Sequence, residues 1–129
     1  MTVPYKPTSL LPVKENMTIR NRENSEHRIW GNRCDAWDLV MEKELSITSE
    51  RMPPNTTEAE HSHKKSKQFF YILSGKARLY VDGKPYELSA GEGVVVNPGL
   101  WHKFCNPSFE EVNYLVISSP MAPGDKATR

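Results

Sequence analysis

The chain has 129 residues, a length that predicts a single domain. It is 37% hydrophobic and 26% charged, as is usual for a soluble globular protein. The formal net charge of +1 mixes both signs, which argues against a nucleic acid or a membrane surface as partner. No apolar run is long enough to span a bilayer, and residues 1–13 lack the apolar core of a signal peptide. We therefore expect a cytoplasmic protein.

The N-terminal part, residues 1–34, contains three of the ten prolines and a polar stretch without clear periodicity. We interpret it as an irregular arm, with a turn of helix at its end as an alternative. Such an arm would pack on its own barrel or on a second subunit. His27 belongs to this arm, and we expect it to be exposed rather than a ligand.

From Asp35 onward, short β-forming runs alternate with turn signals, and no segment has a helical period. Many short strands at near-regular spacing predict an all-β sandwich or barrel over residues 35–120. Asp82-Gly83 lies between two alternating runs and predicts a tight hairpin. Pro85 places the returning strand at an edge or a bulge. Residues 121–129 are predicted to be a flexible tail.

The two cysteines, Cys34 and Cys105, have neither a CxxC nor a zinc-finger spacing. In a reducing compartment we expect two partly buried free thiols. Cys105 lies near the candidate site described next, so a thiol bordering that site is the remaining alternative.

Three of the four histidines fall in one candidate metal site. His61 and His63 are two residues apart, so in a strand their side chains point to the same face. Gln68 follows after a short basic turn and would face inward if its strand pairs with the histidine strand. His102 lies in a later segment. Three imidazoles and one amide oxygen in a β fold would bind a divalent metal ion.

Aromatic and aliphatic side chains on the same faces are the candidate pocket residues, although such residues are more often plain core: Phe70, Ile72, Phe104 and Tyr114. The Tyr114 phenol could donate a proton or orient a substrate, which makes it a weak catalytic candidate. Trp101 should point away from the face that carries His102. Three lysines between His63 and Gln68 are interpreted as a solvated turn.

The spacing of these residues resembles the two motifs of the cupin superfamily. The first motif is matched by His61, one residue, His63, four residues, Gln68, six residues and Gly75. The second is matched by Gly91, five residues, Asn97, one residue, Gly99, two residues, His102, three residues and Asn106. Fifteen residues separate Gly75 from Gly91, close to the shortest gap of small cupins.

The resemblance implies a double-stranded β-helix, a jelly-roll barrel of two sheets, with one divalent metal inside. It also implies a homodimer. By position, the four metal ligands of the family fall on His61, His63, Gln68 and His102. Two positions depart from the family: Gln68 replaces the usual glutamate, and Asn97 replaces the usual proline. The second change affects only a turn, since Pro98 and Gly99 can still shape it.

Gln68 bears on the chemistry because an amide oxygen is neutral and a poorer donor than a carboxylate. The ion would keep its full formal 2+ charge, which favours an anionic substrate. Manganese should lose affinity relative to iron, nickel, copper or zinc, and the sequence does not choose among these five metals. Four protein ligands would close a tetrahedral zinc site, whereas an octahedral ion would keep two positions free.

No obvious general base is left in the motifs, so acid–base chemistry would have to come from metal-bound water or hydroxide, or from a residue outside them.

Three functional classes stay open. The first is a metalloenzyme acting on a small organic molecule, either an oxidoreductase such as a dioxygenase or a redox-neutral isomerase, lyase or cyclase. The second is a cupin that binds a small molecule without turnover. Such cupins are often joined to a helix-turn-helix domain, for which this chain has no room. A storage role is disfavoured because a storage barrel does not need intact ligands.

Replacing Gln68 with glutamate tests the role of the neutral ligand. Gln68→Glu should lower the affinity for an anionic substrate and raise the preference for manganese, because a carboxylate cancels part of the ion's charge. Metal content and substrate affinity measure the effect. Unchanged anion binding would contradict the charge argument.

Overall fold

A computed structural model of the protein describes residues 12–14, 17–121 and 124–129. These residues form fourteen strands and no helix. The strands are β1 Pro12–Lys14, β2 Met17–Thr18, β3 Glu26–Trp30, β4 Cys34–Glu42, β5 Leu45–Met52, β6 Thr56–Thr57, β7 His61–His63, β8 Lys67–Ser74, β9 Lys76–Val81, β10 Lys84–Ser89, β11 Gly93–Val96, β12 His102–Asn106, β13 Val112–Ser119 and β14 Lys126–Thr128. Accordingly, no helix in the described part of the chain could cross a membrane.

Most strands belong to two six-stranded antiparallel sheets. The first sheet has the order β10-β9-β12-β7-β14, with β6 paired to β12, and the second has the order β11-β8-β13-β5-β4-β3. Strands β1 and β2 form a separate two-stranded ladder. The predicted all-β architecture of two sheets is confirmed.

The core lies between the two six-stranded sheets because each sheet turns one set of alternate side chains inward. In β8, Gln68, Phe70 and Ile72 are buried, whereas the side chains between them are more exposed. Phe104 of the first sheet stacks on Phe70 and on Tyr114 of the second, with ring centroids 5.1 and 4.3 Å apart. This aromatic layer joins the sheets directly next to the candidate site.

The predicted hairpin at Asp82-Gly83 is confirmed. It joins β9 to β10, and both turn residues have positive φ angles, 49° and 81°. That pair of left-handed residues matches the twist of a two-residue hairpin, and glycine adopts it at little cost. Pro85 lies in β10, which is the edge strand of its sheet, as a residue without a backbone N–H requires.

The N-terminal arm is more regular than predicted. Residues 26–30, assigned to an irregular arm, form β3 and pair with β4 over five residues. Their sequence lacks strict alternation because β3 lies at a sheet edge with most side chains exposed. His27 is exposed, as expected, and its Nε2 lies 2.7 Å from Asp35. Residues 1–11 of the arm lie outside the described part.

The C-terminal tail is not the predicted flexible segment throughout. Residues 126–128 form β14, which pairs with β7 and so extends the sheet that carries His61 and His63. Three residues carry too little pattern to reveal a strand, and the pairing depends on an edge offered by β7. Residues 122–123 lie outside the described part.

The chain neighbours β7 and β8 lie in different sheets. The condition proposed for an inward Gln68, pairing of its strand with the histidine strand, is therefore not met. Gln68 faces inward all the same, because β8 pairs with β11 and β13 and presents it from the opposite wall. The basic turn at residues 64–66 is a crossover between the sheets.

Both cysteines are free and buried, in agreement with the expected absence of a disulfide. Cys34 belongs to the core cluster. The Cys105 sulfur lies 2.9 Å from the Thr57 hydroxyl. Cys105 is not among the residues that line the cavity described below.

Gly75 and Gly91, the two glycines that bound the motif gap, provide a matched test of the fold. Both have a φ angle of 86°, but a Cβ on Gly75 would lie 2.5 Å from the Glu111 carbonyl oxygen, whereas a Cβ on Gly91 meets nothing within 4 Å. We expect Gly91→Ala to cost about 1 kcal/mol of unfolding free energy from its φ angle alone. Gly75→Ala should cost about 3 kcal/mol or more, since backbone must also move. Urea unfolding measures both, and equal losses would contradict the packing described for Gly75.

Candidate metal centre

The three histidines lie together on the inner face of the first sheet. His61 and His63 alternate in β7, and His102 begins β12, directly opposite His61 in the ladder. All three side chains are buried, with exposed fractions of 4%, 6% and 1%. Strand alternation and this register place three imidazoles at one point in the barrel.

The imidazole rings are close enough to share one ion. The ring centroids of His61 and His102 are 4.3 Å apart, and those of His61 and His63 are 5.1 Å apart. One nitrogen from each ring lies within 4.8 Å of the others. Three histidines in this arrangement could hold a metal ion.

Backbone carbonyls fix which ring nitrogen is free in two of the histidines. His61 Nδ1 lies 2.9 Å from the Ala59 carbonyl, and His102 Nδ1 lies 2.9 Å from the Leu100 carbonyl. A carbonyl oxygen only accepts, so each Nδ1 carries the proton and donates it. Each neutral ring then presents the lone pair of Nε2, which is the form that a metal binds.

Gln68 faces His102 from the opposite sheet. The Gln68 amide donates through Nε2 to the Ser118 hydroxyl at 3.0 Å, which turns Oε1 toward His102 Nε2 at 3.1 Å. Two atoms that both present lone pairs repel unless a cation lies between them. Ligands bound to one metal at about 2.1 Å are about 3.0 to 3.4 Å apart at octahedral or tetrahedral angles, which the observed distance fits.

His63 adds a second reason for a cation at this place. Both of its ring nitrogens are buried and have no hydrogen-bond partner among the described residues. A buried polar group without a partner costs on the order of 1–3 kcal/mol, and a metal bond would remove that cost. The donor set therefore fits a divalent transition metal held by three imidazoles and one amide oxygen.

The electrostatics of the site favour neutral histidines. Burial lowers the pKa of His61 to about 4 and also lowers the pKa values of His63 and His102. Near pH 7 the three rings are therefore neutral, and each has one nitrogen lone pair available to a metal.

A cavity of about 160 Å³ opens beside the histidines. Its lining combines ligands, acids and apolar side chains: Glu50, Glu58, His61, His63, Gln68, Phe70, Tyr114, Val116 and Lys126. Two neighbouring depressions of about 200 and 310 Å³ share some of these residues and therefore adjoin it. Together the cavity and the two depressions form an opening large enough for a small organic molecule, which we call the mouth of the site.

Two half-buried carboxyl groups flank this cavity. Glu58 Oε1 accepts the Phe104 backbone N–H at 2.9 Å and lies 3.9 Å from His61 Nδ1. Glu50 accepts the Tyr114 phenol at 3.0 Å and the Thr48 hydroxyl at 2.8 Å. Burial raises the pKa of Glu58 to about 8 and raises the pKa values of Glu50 and Tyr114 as well.

The predicted pocket residues separate into two groups. Phe70 and Tyr114 line the cavity, whereas Ile72 and Phe104 are fully buried in the core cluster. Phe104 contacts both lining rings and so supports the cavity wall. Trp101 lies outside the lining, with the Arg129 guanidinium 4.1 Å from its ring.

Glu50 and Glu58 were not identified from the sequence. For Glu50 a signal was available: it continues the alternation of Ser46 and Thr48 in β5, and that face is the inner one. For Glu58 there was none, because it lies in the short connection between β6 and β7 and no alternation extends through it.

The comparisons with known proteins agree with this geometry. The model of the cupin domain family matches residues 48–118. Polyketide synthase CurC of Streptomyces cyaneus is 32% identical over 72 residues, which cover 56% of this chain and 47% of that protein. This chain thus spans about half the length of that relative.

Two solved structures show the same fold at low identity. The polyketide cyclase RemF of Streptomyces resistomycificus aligns with a TM-score of 0.73 at 19% identity, covering 84% of this chain and 82% of that one. A conserved protein with a double-stranded β-helix domain from Klebsiella pneumoniae aligns with a TM-score of 0.69 at 19% identity, covering 78% and 88%. The predicted double-stranded β-helix is confirmed.

In the metal-free protein, Glu58 and His61 make stability depend on pH with opposite signs. The folded state holds a proton on Glu58 up to about pH 8 that the unfolded chain releases near 4.5, so stability falls as the pH rises through that window. The unfolded chain protonates His61 near 6.5 but the folded state only near 4, so stability falls as the pH drops through that window.

Of these two groups, only Glu58 makes the unfolding free energy depend on pH between pH 6.5 and 8. We expect the unfolding free energy of metal-free protein, from urea titrations, to fall over that range, and Glu58→Gln to reduce the slope. An unaltered slope in the variant would refute the assignment to Glu58.

Proposed function

We propose that this chain, which belongs to the cupin family, is a metal-dependent enzyme that moves protons next to a carbonyl group of a small organic molecule. The reaction class is a redox-neutral isomerisation, elimination or cyclisation. One observation carries the proposal: Glu50 and Glu58 line the same cavity as His61, His63 and Gln68. Acid–base groups beside a Lewis acid are what enolisation requires.

His61, His63, His102 and Gln68 are the proposed ligands of one divalent ion. Bound there, such an ion polarises a substrate carbonyl and stabilises the negative charge that develops on its oxygen. All four side chains are neutral, so they leave the ion's formal charge undiminished. The protein thus favours a substrate that becomes anionic during the reaction.

Glu58 is the proposed proton carrier. One of its oxygens is held by the Phe104 backbone N–H, which fixes the carboxyl group at the edge of the cavity and leaves Oε2 for a substrate. In this position its ionised form can take a proton from the carbon next to the carbonyl, and the protonated form that results can return the proton elsewhere on the molecule. General acid–base catalysis of this kind contributes on the order of 10²–10⁴-fold to a rate.

Glu50 and Tyr114 form the second proton-bearing unit. The phenol donates to Glu50 Oε1, and the Thr48 hydroxyl donates to Oε2, so the unit is rigid. The phenol is the proposed donor to a developing oxyanion; because it has a single proton, its hydrogen bond with Glu50 then reverses, and the protonated Glu50 carboxyl donates to the phenol oxygen. Phe70 and Val116 supply the apolar wall that limits water around these groups.

The redox-neutral branch is supported over the dioxygenase branch by the cavity and by the relatives. A dioxygenase needs open positions on a redox-active metal but no paired carboxyl groups. Two similar proteins carry the names polyketide synthase and polyketide cyclase, which agree with a carbonyl-rich, enolisable substrate. Dioxygen uptake is therefore not expected.

Deuterium exchange tests the proposal. Metal-loaded protein should accelerate the uptake of deuterium from D₂O next to the ketone of levulinate (4-oxopentanoate), followed by NMR, above the rate in buffer. Glu58→Gln should lower this acceleration about 100-fold, because the proton carrier is lost while all metal ligands remain.

Glu110→Gln makes the same chemical change on an exposed loop and should leave the rate unchanged. Metal content, measured in parallel, should be equal in all three proteins. An unaltered rate in Glu58→Gln would contradict the proposal. Metal and levulinate binding without any exchange would instead identify a cupin that binds without turnover.

A further inference from the structure

We propose that Lys126, in the C-terminal strand β14, binds a carboxylate group of the substrate and that Asp125 holds this strand in place. The assignment rests on the proposed function to the extent that the cavity beside the histidines is the substrate site. It adds the class of substrate, a keto acid rather than a neutral ketone, and a positioning residue in the tail.

The register of β14 turns Lys126 toward the metal site. Lys126 pairs with His63 and Thr128 pairs with His61, and directly paired residues of neighbouring strands lie on the same face of a sheet. Lys126 lines both the cavity beside the histidines and the depression next to it. The ammonium group is therefore at the mouth through which a ligand would reach the site.

Lys126 is the cation available to a ligand at this mouth. Arg28 lines the same depression, but its guanidinium is held by Asp38 at 2.8 Å. None of the ion pairs found among residues 17–121 and 124–129 includes Lys126. An exposed ammonium with no ion-pair partner can bind an anion without first breaking an ion pair.

The two acids in the cavity do not neutralise Lys126 by contact. Both carboxylate oxygens of Glu50 accept hydrogen bonds from side-chain hydroxyls, and one oxygen of Glu58 accepts a backbone N–H. These bonds hold the two acids at the cavity wall, and neither acid forms an ion pair with Lys126. Lys126 is thus arranged for a group that comes from outside the chain.

Asp125, which directly precedes β14, binds the loop that follows β7. Its Oδ1 accepts the Lys64 backbone N–H at 3.0 Å, and its Oδ2 accepts the N–H groups of Lys65 and Ser66 at 2.8 and 2.9 Å. A carboxylate held by three backbone donors is strongly anchored, which also lowers the pKa of Asp125.

The other end of β14 is fixed as well. Arg129 pairs with Glu60 at 3.1 Å, and its backbone N–H donates to the Glu60 carbonyl at 3.1 Å. Asp125 and Arg129 therefore bracket Lys126 on both sides.

The test compares a matched pair of probes, levulinate and its neutral methyl ester, by calorimetry on metal-loaded protein. Wild-type protein should bind levulinate about tenfold more tightly than the ester, since a charge-assisted hydrogen bond contributes on that order. Lys126→Met should abolish this preference and leave ester binding unchanged, and Lys126→Arg should retain it. Lys76→Met removes an exposed lysine of β9, which β12 and β7 separate from β14 in the first sheet, and should behave as wild type.

Asp125→Asn should reduce the preference partly, with faster amide hydrogen exchange in residues 124–129. Equal affinity of wild-type protein for both probes, binding of neither probe, or a preference that survives in Lys126→Met would overturn the assignment. Failure of the proposed function has another signature. The charge preference would then depend on Lys126 as described, but no deuterium exchange would depend on Glu58.

Discussion

Lone pairs that face one another inside the barrel are the constraint on which the rest of the structure depends. Backbone carbonyls accept hydrogen bonds from Nδ1 of His61 and His102, and Gln68 presents an oxygen to His102 Nε2 at 3.1 Å. His63 adds two buried nitrogens without partners. Such an arrangement is unfavourable unless a cation occupies its centre, because no donor balances these acceptors.

The two-sheet architecture supplies that arrangement and determines what surrounds it. The three imidazoles come from β7 and β12 in one sheet, and the amide comes from β8 in the other. The candidate ligands therefore come from both sides of the core, and the aromatic contacts of Phe104 join the sheets beside them. The same inward face of the second sheet brings Glu50 and Tyr114 to the cavity. Two half-buried carboxyl groups with raised pKa values lie at this cavity, and perturbed pKa values of this kind are common at functional sites.

The sequence predicts the features that depend on local pattern. Alternation and turn residues indicate the central strands, and the Asp82-Gly83 hairpin follows from two residues that tolerate positive φ. The spacing of the histidines indicates the cluster itself.

Features that depend on contact with a segment elsewhere in the chain are not predictable from local pattern. Strand β14 exists because β7 offers an edge, and β7 and β8 separate into two sheets although chain neighbours usually pair. Glu58 lies in the short connection between β6 and β7, where no alternation of polar and apolar residues indicates which side chains face inward.

A metal titration of tag-free, metal-free protein tests the central claim most directly. The account predicts that zinc or nickel binds with a stoichiometry of one ion per chain, and that His61→Ala and His102→Ala each abolish full occupancy. Binding that does not saturate at one ion, or full occupancy in either alanine variant, would contradict the metal centre as described.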